Sequence, residues 1–197
     1  MTQTEHQPRN TLTRTVDGAE LPVPGAYAID ASHSAVEFVV RHLGLAKVRG
    51  RFRAFDGVIE IADRPEDSTV AVEVDVSTID TLEPNRVENL RGSDFLDVAN
   101  HPTMSFRTTR VTASGSGWTV EGDLTLRGVT HPVTLDVTFE GAGADPWGGQ
   151  RIAFSASGEI DRGQWGITWN QALEAGGFVV GKKVRLEIEA EAVKLSG

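Results

Sequence analysis

From Ala26 onward, apolar residues recur at every second position, and this period of two is the feature that most narrows the fold. In "TVAVEVDVSTI", Val70, Val72, Val74 and Val76 share one face, while Thr69, Ala71, Glu73, Asp75 and Ser77 share the other. The segments "WTVEGDLTL", "PVTLDVTFEG", "RIAFSASGEI" and "KVRLEIEAEAV" repeat the pattern. Successive side chains of a strand point to opposite faces, so each segment is a ribbon with one dry side and one wet side. Turn-forming stretches at 114–117, 127–132 and 141–150 separate the ribbons. About eight strands are expected, with too little helix to cover their apolar face. Such a sheet must close on itself or pack on a second sheet, and closure also removes unpaired edges. The expected fold class is therefore all-β. A short helical segment is expected near residues 86–98, with Asn85 as its cap. "DRGQWGITWNQALEAGG" reads as the start of a strand followed by a flexible Gly-rich loop.

Length and charge limit what such a fold can do. The 197 residues suit one domain, and the formal net charge of −9 repels a phosphate backbone, so nucleic acid is not an expected partner. The same net charge works against docking on an anionic membrane through a basic patch. With no cysteine, disulfides, thiolate nucleophiles and Cys-ligated metals are excluded. "MTQTEHQPRNTLTRTVDGAELPVPG" contains no apolar run of signal-peptide length, and no stretch is apolar enough to span a bilayer. The expectations are a cytoplasmic protein without stable membrane insertion, a disordered tail over residues 1–24, and a single β-barrel domain over 25–197.

The stretch "YAIDASHSAVEFVVRHLGLAKVRGRF" carries Asp30, His33, Ser34 and His42, residue types used in hydrolase triads and metal sites. Strand geometry argues against both. His33 and His42 would point to opposite faces and lie about 30 Å apart at ~3.3 Å per residue. Neither G-x-S-x-G nor H-E-x-x-H occurs. Asp30, His33 and Ser34 read instead as a polar corner bonding backbone groups at a strand entry. No catalytic residue and no metal site is expected. The dry faces are the more informative side, because a closed eight-stranded barrel is either packed by side chains or holds one small ligand. The candidate lumen lining is Val36, Phe38, Val40, Phe52, Val72, Val74, Phe106, Leu124, Leu126, Leu135, Val137, Phe154 and Ile160, joined by Trp165. Pattern alone leaves open whether that lumen is filled or hollow.

Several stretches carry a family resemblance: "YAIDASHSAVEFVVRHLGLAKVRGRFRAFDGVIEI", "VSTIDT", "NLRGSDFLDVANHPTMSF", "VEGDLTLRGVTHPVTLDV" and "GEIDRGQWGITW". Together they resemble, in order and over about residues 25–193, the YceI-like family of bacterial lipocalin-like polyisoprenoid-binding proteins. The resemblance implies a lipocalin-like extended antiparallel eight-stranded β-barrel. It implies a bound isoprenoid-type lipid, a polyprenyl chain or prenylated quinone, that is carried or sequestered, with no other cofactor and no established catalysis. His33, Thr81, Asp94, Phe95, His101 and Arg162 fall in its motifs as candidate polar or entrance positions. A homodimer is an expectation of the resemblance alone. Many relatives carry a signal peptide, which the apolar pattern here does not provide. The alternative reading is an enzyme acting on an isoprenoid or other small lipophile at the barrel mouth through His101 or Asp94.

Overall fold

The computed structural model describes residues 12–174 and 176–195. A small hairpin of β1 (Thr13–Val16) and β2 (Ala19–Pro22) precedes the main sheet. Three kinked staves follow: β3 (Gly25–Ile29) with β4 (Ala35–His42), β5 (Ala46–Phe52) with β6 (Phe55–Ile61), and β7 (Thr69–Asp75) with β8 (Ile79–Asp80). Five unkinked staves complete the set: β9 (Thr103–Ser114), β10 (Gly117–Leu126), β11 (Val129–Ala144), β12 (Gln150–Asp161) and β13 (Val180–Lys194). Each stave pairs antiparallel with the next in sequence, and β13 returns to pair with β3 and β4. The result is a closed eight-stranded antiparallel barrel, the one of the two arrangements left open by the alternation that leaves no sheet edge unpaired.

Side chains replace the ladder where the staves kink. Ser34 Oγ accepts from the Glu191 amide at 2.9 Å and donates to its carbonyl at 3.1 Å, bridging the gap between β3 and β4. Thr78 Oγ1 accepts from the amides of Arg53 and Ala54, both at 3.1 Å, and so stitches the second kink to the third.

Parity also breaks at bulges. A register shift at Glu121/Gly122 lets Val111 and Phe106 of β9 face Val120 and Leu124 of β10 on the same inner side, though their numbers differ in parity. Gly122 must be glycine there. A Cβ would lie 2.3 Å from Phe106 Cζ and 2.6 Å from the Arg107 carbonyl oxygen. On β5, Gly50 similarly makes room for the Phe38 ring.

Three local expectations are corrected. Part of the segment read as a tail is structured: Leu12 and Leu21 are buried, and Arg14 donates to the carbonyls of Ala62 (2.5 Å) and Asp63 (2.7 Å), tying the β1–β2 hairpin to one end of the barrel. Residues 1–11 lie outside the described residues. The helix α1 (Pro84–Arg91) is capped by Glu83, not Asn85: the Glu83 carboxylate accepts from the amides of Asn85 and Arg86, and Pro84 supplies the helical φ of the first turn. Finally, residues 162–165 form a 3-10 turn rather than a strand, because the Asp161 side chain accepts from the Gly163 amide and Gly166 takes a left-handed conformation at φ 72°.

Charge clamps the closing seam. Arg151 on β12 donates to Asp30 (2.8 Å), Asp145 (2.9 Å) and Glu191 (2.6 Å), joining the first stave, the β11–β12 turn and the last stave. Hydrogen bonds from Ser32, Arg151 and His33 hold the Asp30 carboxyl well below the usual carboxylate range. The Arg151 guanidinium, with the Gly149 amide, also lowers the pKa of Asp145.

Two predictions follow from this geometry. Gly122→Ala meets backbone as well as ring atoms, so it should destabilise by about 1–3 kcal/mol; an unchanged urea midpoint would show that the clash is relieved elsewhere. Asp30 and Asp145 bind protons less tightly folded than unfolded, so their contribution is complete above an unfolded carboxylate pKa of about 4 and is lost as pH falls further. The melting temperature of the wild type should therefore drop steeply below about pH 4. The gap between wild type and Arg151→Gln should be widest near neutrality and shrink in acid. A gap independent of pH would refute the clamp.

Candidate functional site

The inner faces of the staves enclose a cavity of about 320 Å³ that runs the length of the barrel. At one end it meets Leu21 and Pro22 of the β1–β2 hairpin. At the other it meets Leu90 of α1, Phe95, Leu96 and Ile167. Each stave contributes alternate residues: Val36, Phe38 and Val40 from the first, Val72 and Val74 from the third, Leu124 and Leu126 from β10, Leu135 and Val137 from β11, Phe154, Ala156 and Ile160 from β12. Phe52 and Phe106 complete the lining expected from sequence, and Val184, Leu186 and Ile188 of β13, Phe55 of β6 and Met104 of β9 add to it. The last five were missed although β13 shows clean alternation; Met104 sits just after a Pro-containing loop, where parity has no anchor. The wall is almost wholly apolar, and the volume lies at the low end of the roughly 300–1,000 Å³ usual for small-molecule sites.

Trp165 is not part of that wall. Its indole is 1% exposed, its Nε1–H donates to the Leu124 carbonyl at 3.1 Å, and its ring meets His131 edge-on at 5.3 Å. It is a wedge packed behind β10, because a buried indole N–H needs an acceptor that an apolar lumen cannot offer.

A second hollow, of about 470 Å³, opens between α1, the β4–β5 hairpin and the loop from Gly166 to Val179. It shares Phe38, Val40, Leu90, Phe95 and Val180 with the lumen, and so forms its vestibule. Phe95 and Trp169 cross there with ring centroids 5.3 Å apart. The vestibule is polar where the lumen is not: Arg41 and His42 lie on one side, Arg86, Asn89, Ser93 and Asp94 on the other.

The polar positions singled out by sequence scatter. Asp94 and Phe95 are in the vestibule. Arg162 lines the mouth end of the lumen, is 6% exposed and donates to the carbonyls of Gly181 (2.9 Å) and Val180 (3.4 Å) on β13 and of Ile167 (2.8 Å), so it ties β13 and the start of the Gly166–Val179 loop to the end of β12. Burial pushes its pKa down. Thr81 is buried beside α1 and lines neither hollow; its hydroxyl has no hydrogen-bond partner among the described residues. His101 packs against Gly128, with Nε2 3.9 Å from Asp97, and also lies outside both hollows.

His33 is not at the entrance. It is exposed at the kink between β3 and β4, with Nδ1 2.8 Å from Asp30 and 3.1 Å from Ser32 Oγ. A proton relay needs the carboxylate and the hydroxyl on different ring nitrogens. Here both meet Nδ1, and the Ser32 proton is donated to Asp30 at 2.6 Å. Asp30, His33 and Glu191 also converge within 4.8 Å, as metal ligands would, but the Arg151 guanidinium already bonds both carboxylates. This is the polar corner, acting as a joint of the barrel wall.

Comparison with known proteins places these features in context. The model of the YceI-like domain family matches residues 27–192. A UPF0312 protein of Yersinia pestis is 41% identical over 149 residues, covering 74% of this chain and 78% of the relative. A UPF0312 protein of Vibrio cholerae is 36% identical over 197 residues, covering 94% and 99%. Among solved structures, Burkholderia cenocepacia BcnA superposes with a TM-score of 0.73 at 20% identity over 83% of this chain and 99% of its own. A polyisoprenoid binding domain from Saccharophagus degradans superposes at 0.63 with 17% identity, over 86% and 98%.

The ties of Arg162 give a direct test of how the mouth is held. Arg162→Met leaves the Gly181 and Ile167 carbonyls without their donor, at about 1–3 kcal/mol each. Thermal unfolding should show a matching loss, and limited proteolysis should cut first between residues 166 and 179. Wild-type stability with an uncut loop would refute that role.

Proposed function

Since the chain belongs to the YceI-like family, we propose that its lumen binds the prenyl tail of an isoprenoid lipid or prenylated quinone, for carriage or sequestration. One observation carries this reading: the apolar cavity from the hairpin cap to the vestibule, whose wall is almost wholly hydrocarbon although Arg14 and Arg162 reach its two ends. Such a wall recognises length and apolarity only. Each methylene moved from water into it contributes about 0.8 kcal/mol, so a few isoprene units suffice for tight binding. The polar head group then belongs in the vestibule, beside Arg41, His42, Arg86, Asn89, Ser93 and Asp94. Of the two residues the enzyme alternative rests on, His101 stands outside both hollows while Asp94 lines the vestibule.

Native mass spectrometry of the purified protein, followed by denaturing extraction, should release an isoprenoid-type lipid. Delipidated protein should take up a prenylated benzoquinone from detergent micelles. Ala156 sits on the wall between Val137 and Ile188, so Ala156→Phe should fill the lumen there. Excluding even two methylenes is worth about 1.6 kcal/mol, or more than tenfold in affinity. Protein that neither carries a lipid nor takes up the quinone would sink the proposal, as would undiminished uptake by a folded Ala156→Phe variant.

A further inference from the structure

We propose that the rim of the vestibule docks on an anionic phospholipid bilayer, so that a lipid tail passes between membrane and lumen without crossing water. Eight large apolar side chains are exposed among the described residues, and four of them, Leu43, Leu45, Trp169 and Phe178, sit on two neighbouring tips of this rim. Leu45 is 79% exposed and Phe178 52%. The tips are held together: the Leu43 amide donates to the Val179 carbonyl at 2.8 Å, Val180 pairs with His42, and Asn170 bonds both backbone groups of Val180. Apolar side chains projecting from a closed end would only lower solubility; beside the one polar opening of an apolar lumen they place that opening against hydrocarbon.

Charge fixes the occupant. Arg41 and Lys47 face each other across the β4–β5 hairpin, and Lys182 lies in the β13 bulge opposite Arg41, next to Gly181, which touches that arginine. None of the three forms an ion pair among the described residues. Glu174 is the carboxylate on these two tips, while the α1 flank adds Asp94 and Glu88, the latter paired with Arg91. The far end of the barrel carries Asp17, Glu20, Glu60, Asp63, Glu66 and Asp67 against Arg14, Arg64 and Lys194. The net charge of −9 is therefore unevenly placed. A uniformly spread charge of that sign would keep an anionic membrane away, and this distribution does not. An anionic surface attracts the rim and repels the opposite end, which orients the mouth toward the bilayer.

The inference builds on the lumen reading but is tested apart from it. The chain should co-sediment with phosphatidylcholine vesicles containing phosphatidylglycerol, more weakly with pure phosphatidylcholine, and less as salt rises. The double variant Leu45→Asp/Phe178→Asp should lose about tenfold or more in vesicle partition, given that each charged tip must leave the interface. It should still take up a prenylated benzoquinone from micelles, since neither residue lines either hollow. Trp147→Asp, at the β11–β12 turn, should bind vesicles as the wild type does. A second readout needs no loss of binding: with Trp118 and Trp147 replaced by Phe, emission should shift to the blue on adding anionic vesicles, a shift assigned to Trp169 because the remaining Trp165 is 1% exposed. Wild type that takes up the quinone yet ignores vesicles overturns the docking inference and spares the lumen reading. Protein that docks yet takes up no quinone does the reverse. Vesicle binding unchanged in a folded double variant also overturns it.

Discussion

Everything in this molecule depends on β13 finding β3 and β4. Until the last stave pairs with the first, the sheet is open, its apolar face is wet and its edges are unpaired. Closing it joins residues about 160 positions apart, as the contact between Ser34 and Glu191 shows, and loop-closure entropy opposes that. The Arg151 clamp stands at this seam and bonds both closing staves. Its carboxylate partners are partly exposed, so each bond alone is modest. Their joint effect is to fix the register on which every inward-facing residue depends.

Register in turn makes the cavity. A closed eight-stranded sheet has just enough room for its own side chains. This one stays hollow because Val, Ala and Leu occupy many inner positions and because the largest apolar side chain nearby, Trp165, is held outside the wall by its bond to Leu124. Gly50 and Gly122 let the Phe38 and Phe106 rings lie flat against the neighbouring stave, which keeps those rings out of the central space.

The all-β class and most of the lining were legible in the alternation, because a period of two survives along the staves and their inner faces are apolar; closure into a barrel rather than packing on a second sheet came from the family resemblance. What was not legible has physical causes. Alternation assigns a face but cannot see a bulge, so the shared orientation of Phe106 and Val111 is invisible in sequence. Trp165 counts as apolar in any pattern, while its N–H, which decides where it sits, leaves no periodic trace. His33, Thr81, His101 and Arg162 are motif positions whose partners are backbone groups or carboxylates of other elements. Motif membership marked them as constrained without distinguishing the wall joints from Arg162, which alone of the four lines the lumen. The β1–β2 hairpin did leave a signal, since Asp17-Gly18 is a strong two-residue hairpin turn and both residues adopt positive φ. A polar composition around it obscured the signal.

The division between a dry lumen and a wet vestibule bears on how a ligand could move. A tail held only by apolar contacts has no directional bond to break, so its release is governed by where the tail goes next. Water is the worst destination, costing about 0.8 kcal/mol for every methylene exposed. A wall that binds well by this means alone would therefore hold its ligand indefinitely in solution, and a carrier needs an apolar acceptor at its mouth. The hairpin-capped end cannot serve, because Leu21, Pro22 and the Arg14 ties close it with buried, hydrogen-bonded structure. Among the described residues, only the end bounded by Phe95, Trp169 and the β4–β5 hairpin combines an opening with exposed apolar tips. The chemistry that makes the lumen unselective thus also dictates the asymmetry between the two ends of the barrel.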